Sequence, residues 1–125
     1  MSVLEFNVST AGLGDNAFVV AAAGEADMYT APALEQALEG VVGLGGTSAV
    51  LDLAEVSFID STVLSVLLRF RERFQELGGG FVIVTDDRRV LRTFEITGLD
   101  RIFTIERRLA EGIDVILPGS NGVGS

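Results

Sequence analysis

Strand-length apolar runs alternate with amphipathic helical segments along this chain from Ala17 onward. Residues 17–23 form an uninterrupted apolar run, which is typical of a strand buried on both faces. Further strands are predicted at residues 48–53, 81–85 and 102–105, and helices at 30–42, 61–77, 86–97 and 106–117. Residues 3–8 are expected to add an antiparallel edge strand through a turn at 11–16. The alternation therefore predicts a single α/β domain, with a mixed, mostly parallel sheet of about five strands and four helices.

The strongest helical pattern lies over residues 61–77. Its apolar residues recur three or four positions apart, so they share one face that is expected to pack on the sheet. They are Val63, Leu64, Leu67, Leu68, Phe70, Phe74 and Leu77. The glycines at 43–46 end the helix before it, and a phosphate-binding glycine loop would instead follow a strand and open a helix. We interpret them as a helix end and linker.

The composition excludes most enzyme classes. The 125 residues contain no histidine and no cysteine, and all nine basic residues are arginines. Nucleophiles activated by histidine, zinc sites built from thiolate or imidazole, and the lysine of a phosphate loop are therefore impossible. A magnesium site at Asp86 and Asp87 stays an alternative, although adjacent acids at a helix start are usually caps. We expect a protein that is not an enzyme and that holds no metal.

The sequence also indicates where the protein is found. No apolar run approaches the roughly 18 residues that a membrane-spanning helix needs. The first residues lack the basic segment of a signal peptide, and disulfides are excluded because cysteine is absent. We expect a cytoplasmic protein without membrane contact.

Charge is distributed unevenly along the chain. Residues 1–68 contain nine acidic residues and no basic residue, whereas residues 69–125 contain nine of each, so the net charge of −9 belongs to the first half. This acidity disfavours direct DNA or RNA binding, which depends on neutralising phosphates. It is suited to steering a basic protein partner, although it is also explained by solubility alone.

Three polar residues, Asp60, Ser61 and Thr62, stand where the strand before them gives way to the helix. Such residues are favoured as helix N-caps, because their side-chain oxygens accept free N–H groups of the first turn. A hydroxyl at a helix N-terminus is also a place where an added phosphate is tolerated and changes the surface charge. The trio is therefore either a simple cap or a modification site.

Three segments in register resemble one family. They are Gly24-Glu25-Ala26-Asp27 with Tyr29-Thr30-Ala31-Pro32, then Leu51-Asp52-Leu53 with Val56-Ser57-Phe58-Ile59-Asp60-Ser61-Thr62, and finally Ile96-Thr97-Gly98-Leu99-Asp100-Arg101-Ile102-Phe103. The chain resembles a STAS domain of the stand-alone anti-sigma factor antagonist type. The resemblance covers residues 3–117 and leaves residues 118–125 as a flexible tail.

The resemblance implies a function and a set of residues. It implies binding to an anti-sigma factor that is also a serine kinase, which phosphorylates Ser61 and thereby ends the complex; a PP2C-type phosphatase reverses this. ATP is then used by the partner kinase, and no cofactor is expected for this chain. Thr62 is the rival acceptor. The implied partner-binding residues are Glu25, Asp27, Asp60, Ser61, Thr62 and Val63.

The sequence departs from the family pattern at two positions. Typical antagonists carry glycine at the positions of Val63 and Ser65. A larger residue there would alter the close approach of a kinase. This favours an alternative function, a STAS scaffold subunit of a signalling or transport complex that is not phosphorylated.

Overall fold

The computed structural model describes residues 5–118, in which one five-stranded sheet has the strand order β1-β2-β3-β4-β5. Strand β1 is antiparallel to β2, and the remaining neighbours are parallel. This confirms the predicted mixed, mostly parallel sheet of five strands with four helices. The elements are β1 (Asn7–Leu13), β2 (Ala17–Ala26), α1 (Ala31–Gly43), β3 (Ser48–Ile59), α2 (Ser61–Glu76), β4 (Phe81–Val84), α3 (Arg88–Ile96), a short 3-10 turn (Leu99–Arg101), β5 (Thr104–Glu106) and α4 (Leu109–Ile116).

The two faces of the sheet are covered differently. The main core lies between one face and helices α1, α2 and α3, where Leu34, Leu67 and Phe94 are fully buried with strand residues such as Leu51. On the other face α4 lies close to β3 and β4. A Cβ atom added at Gly112 would stand 2.5 Å from Cγ2 of Val84 and 3.2 Å from Cγ1 of Val50. Glycine at this position therefore allows α4 to approach the sheet closely.

Five phenylalanine rings connect the second half of the molecule. Neighbouring rings in the series Phe70, Phe74, Phe81, Phe103 and Phe94 have centroids 5.5–6.4 Å apart. Tilted and edge-on aromatic pairs at such distances stabilise a core beyond their burial alone. The rings join α2, β4 and α3 to the segment before β5, so they fix the third family-like segment on the core.

The predicted ends of the first three strands were wrong. Strand β1 runs to Leu13, through part of the predicted turn; Val3 and Leu4 of the predicted strand lie outside the described residues. Strand β2 continues to Ala26, and β3 continues past Leu53 to Ile59. The extensions pair with each other through register shifts at 21–23 and 24–25, and Gly24 there has a φ of 110°. Pairing between two strands, which a single sequence does not show, outweighs the local turn propensities.

The last elements also differ from expectation. Strand β5 occupies Thr104–Glu106 instead of 102–105, and α4 begins at Leu109 instead of 106. Leu109 is 37% exposed, because the closest approach of α4 to the sheet is at Gly112. Of the predicted tail, residues 119–125 lie outside the described residues.

Candidate functional site

Two strand ends lie side by side at the carboxyl edge of the sheet. Ala26 at the end of β2 is the register partner of Ile59 at the end of β3. The backbone N–H of Asp60 then donates to the carbonyl of Ala26 at 3.2 Å. This bond places the loop after β2 against the start of α2. The two segments that carry the predicted site residues, far apart in sequence, therefore meet at one edge.

Asp60 is the N-cap of α2. Its backbone is extended, with φ −118° and ψ −177°, and its carboxylate accepts a hydrogen bond from the N–H of Val63 at 3.1 Å. Such a cap satisfies one of the free donors of the first turn and is worth about 1 kcal/mol. Because Asp60 fills the capping role, the hydroxyl of Ser61 is not needed for it.

Ser61 is the first residue of α2 and is exposed, as is Thr62. Across residues 5–118 the Ser61 hydroxyl forms no hydrogen bond, whereas its carbonyl accepts one from the hydroxyl of Ser65 at 3.1 Å. A free hydroxyl on an exposed first turn is open to another protein. Of the two interpretations of the trio, the simple cap therefore applies to Asp60 and leaves Ser61 available.

Val63 occupies a different environment from its neighbours. Its side chain is 0% exposed and belongs to the main core, so only a rearrangement of the helix start would bring it to a partner. The valine that replaces the family glycine therefore fills space beneath the first turn of α2. Ser65, the other departure, is exposed one turn further along the helix.

The loop between β2 and α1 is shaped by its own polar side chains. The carboxylate of Asp27 accepts hydrogen bonds from the N–H groups of Tyr29 at 2.9 Å and Thr30 at 3.1 Å. The Thr30 hydroxyl donates to the carbonyl of Glu25 at 3.0 Å. Thr30 occupies the N-cap position of α1 but makes no side-chain capping bond, because its hydroxyl is directed back into this loop. Asp27 thus has a structural role, whereas the side chain of Glu25 is exposed.

Three large apolar side chains at this edge were missed by the sequence analysis. Tyr29 is 84% exposed, Met28 is 58% exposed and Phe58 is 46% exposed. Phe58 is the register partner of Glu25, so an exposed apolar side chain and an exposed acidic side chain lie on neighbouring strands. Aromatic residues and methionine with a polar rim are typical of protein interfaces. The sequence carries no signal for this exposure, because methionine and phenylalanine are among the residues most often buried.

Helix α3 begins at the same edge, after the end of β4. Hydrogen bonds from the Arg89 side chain, and then from the N–H groups of Val90 and Arg89, lower the pKa of Asp87 to about 2 despite opposing desolvation. Arg89 donates to Asp87 at 2.8 Å; this ion pair, and to a lesser degree the charge of Glu25, raise the pKa of Arg89. The carboxylate of Asp87 is thus engaged as a cap and ion-pair partner. No group of three or more potential metal ligands occurs within residues 5–118.

In the described part of the chain no helix is long and apolar enough to cross a membrane.

The carboxyl edge of the sheet combines a capped helix start with a free hydroxyl, exposed apolar side chains and a carboxylate. Together these groups suit a protein partner.

The fold and this edge define a known class of protein. A family model described as STAS domain matches residues 9–112, and the chain belongs to this family. The resemblance inferred from the three sequence segments is thereby confirmed.

Particular relatives are similar over most of the chain. The anti-sigma-B factor antagonist of Listeria monocytogenes is 39% identical over 84 residues, covering 67% of this chain and 74% of the relative. That of Bacillus subtilis is 32% identical over 99 residues, covering 79% and 90%. The crystal structure of an anti-sigma factor antagonist from Mycobacterium paratuberculosis superposes with a TM-score of 0.81 at 32% identity, covering 90% of this chain and 94% of the other. None of the three is named as an enzyme, in agreement with the expectation of a regulatory protein.

Proposed function

We propose that this protein is an anti-sigma factor antagonist that binds an anti-sigma factor through the carboxyl edge of its sheet. The observation that carries the proposal is the exposed Ser61 hydroxyl, which the Asp60 cap leaves unbonded at the first turn of α2. Glu25 and the exposed Met28, Tyr29 and Phe58 lie on the strand ends and the loop of the same edge, and they supply the acidic and apolar chemistry of a protein-binding surface. The names of the relatives support the same function. Binding would release the sigma factor from the anti-sigma factor.

Phosphorylation at Ser61 is the proposed switch. The partner, acting as a serine kinase, would transfer the γ-phosphoryl group of ATP to the Ser61 oxygen, with ADP leaving and the hydroxyl proton passing to a base of the kinase. A PP2C-type phosphatase would hydrolyse the phosphoserine. This chain supplies only the acceptor, so ATP is bound by the partner.

The physical effect of the phosphate would fall on the interface. A phosphate adds a charge of about −1.5 to −2 near neutral pH. At the start of α2 it meets the positive end of the helix dipole, which favours the folded state. On the partner side the same charge stands beside the carboxylate of Asp60, in a surface that must lose water on binding. Complex formation is therefore weakened while the fold is retained.

A second function is favoured by Val63 and Ser65. Because the Val63 side chain packs in the core under the helix start, the first turn of α2 is more rigid than it would be with glycine at this position. The hydroxyl of Ser65 also donates a hydrogen bond to the carbonyl of Ser61. A rigid, more crowded first turn suits a STAS scaffold subunit of a signalling or transport complex, which binds partners without being phosphorylated.

Mass spectrometry after incubation with candidate anti-sigma kinases and ATP separates the two functions. Because the first arginine is Arg69, trypsin leaves Ser61 in a long N-terminal fragment; cleavage after glutamates gives residues 56–72 instead. We expect one phosphate on this peptide in the wild-type protein and in Thr62→Ala, and none in Ser61→Ala. Phosphate retained by Ser61→Ala but lost from Thr62→Ala assigns the acceptor to Thr62. Stable binding without phosphate uptake by any kinase favours the scaffold function.

A further inference from the structure

A basic groove lies between α3 and the segment that follows β5. Its volume is about 590 Å³, and its lining residues are Arg88, Arg89, Leu91, Arg92, Glu95 and Arg107. Four of these six side chains are guanidinium groups and only one is a carboxylate. In a protein with a net charge of −9 this is a local concentration of the opposite charge. We call it the arginine groove.

Most of the charge in the arginine groove is not neutralised within the chain. Arg89 forms an ion pair with Asp87. Over residues 5–118, Arg88, Arg92 and Arg107 form no ion pair, whereas Arg69 and Arg73 on α2 pair with glutamates of α1. Three guanidinium groups are therefore free to bind an external anion. Guanidinium groups bind carboxylates with two parallel hydrogen bonds, which makes them selective for such groups.

The form of the arginine groove favours a protein segment over a small molecule. All four arginines are exposed and Leu91 is half-buried, so an occupant would stay partly in contact with solvent. Sites for small ligands bury most of the ligand surface. An extended acidic segment, by contrast, binds through charged contacts along its length, which the arginines supply. Leu91 offers it an apolar contact in addition.

The arginine groove begins at the edge that carries Ser61, because α3 starts there, directly after the carboxyl end of β4. The charge of Glu25, at the end of β2, acts on Arg89 at the rim of the groove. The carboxyl edge is therefore acidic at β2 and β3 and basic at α3 and the segment after β5. We propose that the arginine groove is a docking site for a carboxylate-rich segment of a protein partner. This site goes beyond the proposed function, because it uses neither Ser61 nor phosphorylation.

The probe for this proposal is a fluorescent peptide of eight glutamates, with an eight-glutamine peptide as the neutral control. Binding is measured by fluorescence anisotropy at low salt. Non-specific attraction is excluded as an explanation, because the protein as a whole repels the acidic peptide. We expect saturable binding of the acidic peptide only.

Paired arginine variants locate the binding. Arg88→Gln/Arg92→Gln is expected to weaken binding about ten-fold or more, because each contact between two charged groups is lost. Arg69→Gln/Arg73→Gln makes the same change of charge on α2 and is expected to leave the affinity within about two-fold. If the first variant does not fold, as judged by circular dichroism, Arg107→Gln, which lies outside any helix, replaces it.

Three results would overturn the proposal: no binding of the acidic peptide by the wild-type protein, equal weakening by the two double variants, or displacement of the peptide by an equimolar amount of ATP. The last result would assign the groove to small phosphate-bearing ligands. None of these outcomes bears on phosphorylation of Ser61, which is measured separately.

Discussion

At the scale of single residues, Asp60 and Ser61 have different roles, and this difference determines which chemistry is available at the carboxyl edge. Asp60 binds the N–H of Val63 and holds the helix start, while the adjacent hydroxyl stays free. Had serine itself been the cap, modification would remove a structural hydrogen bond and destabilise α2. In this arrangement the hydroxyl does not take part in the helix cap, so we expect that the charge at Ser61 can change without loss of the fold.

Ser61→Asp tests this separation. A carboxylate at the first helical position interacts favourably with the helix dipole by about 0.3–1 kcal/mol, which repulsion from Asp60 offsets. We expect a melting temperature within a few degrees of the wild type and about ten-fold weaker binding to the anti-sigma factor, equal to about 1.4 kcal/mol. Calorimetry measures both. Gln75→Glu adds the same charge in the last turn of α2, where the helix dipole disfavours it by about 0.3–1 kcal/mol, and should leave binding unchanged. Unfolding of Ser61→Asp would show that the hydroxyl is structural.

At the scale of secondary-structure elements, the approach of α4 to the sheet depends on Gly112. Alanine there gains helix propensity of about 1 kcal/mol, but its methyl group would overlap the stiff side chain of Val84. Overpacking of this kind costs about 1–3 kcal/mol. We expect Gly112→Ala to lower the free energy of unfolding, as measured by urea denaturation.

Gly40 in α1 is the matched control for Gly112. No atom lies within 4 Å of a Cβ added at Gly40, and this residue is exposed. We expect Gly40→Ala to raise the free energy of unfolding by about 0.5–1 kcal/mol. If the two substitutions had the same sign, the close approach of α4 would not be the cause.

The contribution of the start of α3 to the stability of the protein depends on pH. Because the Arg89 hydrogen bonds lower the pKa of Asp87 from 3.8 to about 2, the unfolded chain takes up the proton first as the pH falls. The contribution to stability is thus present above pH 3.8 and is lost as the pH approaches 2. Asp87→Asn keeps a capping side chain but removes the charge. We expect the variant to be slightly less stable at pH 6, since Arg89 is exposed and solvent screens the ion pair, and the difference to vanish near pH 2.

Urea denaturation between pH 2 and pH 6 measures this difference. Asp86→Asn, which removes the same charge at an exposed neighbour outside the ion pair, is the control for the loss of charge. A constant difference between wild type and Asp87→Asn at all pH values would assign the effect to capping and not to the ion pair.

The elements that the sequence predicted well are those determined by local chemistry. Helix α2 was placed within a residue at each end, because its apolar stripe and the acidic residue before it are both local signals. The ends of β2 and β3 depend on pairing between residues such as Glu25 and Phe58, which are far apart in the chain. The grouping of Ser61 with Asp27 also joins residues that are far apart in the chain, and only the family resemblance implied it. The exposure of Tyr29 and the burial of Val63 required the structure.

At the scale of the whole molecule, the uneven distribution of charge along the sequence makes the carboxyl edge of the sheet acidic in one part and basic in another. Acidic residues of the first half flank Ser61, and arginines of the second half line the neighbouring groove. A partner that covers the whole edge must be complementary to both signs. Such complementarity acts mainly on the rate of association and on specificity, and it weakens as salt is added.

Glu25→Gln tests the acidic part of this edge better than a change at Asp27, whose carboxylate holds its own loop. Loss of one exposed charge should slow association with the anti-sigma factor about two- to five-fold at low salt. Dissociation should change little, because an exposed charge contributes mainly to steering. Surface plasmon resonance at two salt concentrations measures both rates.

The control for Glu25→Gln is Glu76→Gln, which removes the same charge at the last residue of α2. Glu76 lies fifteen positions after Ser61, so the two ends of the helix are about 22 Å apart, which exceeds the screening length of about 8 Å at physiological salt. Equal slowing by both variants would mean that the net charge steers the partner. A slower association for Glu25→Gln alone, which disappears at high salt, would mean that the partner is steered by the edge itself and arrives already oriented toward Ser61.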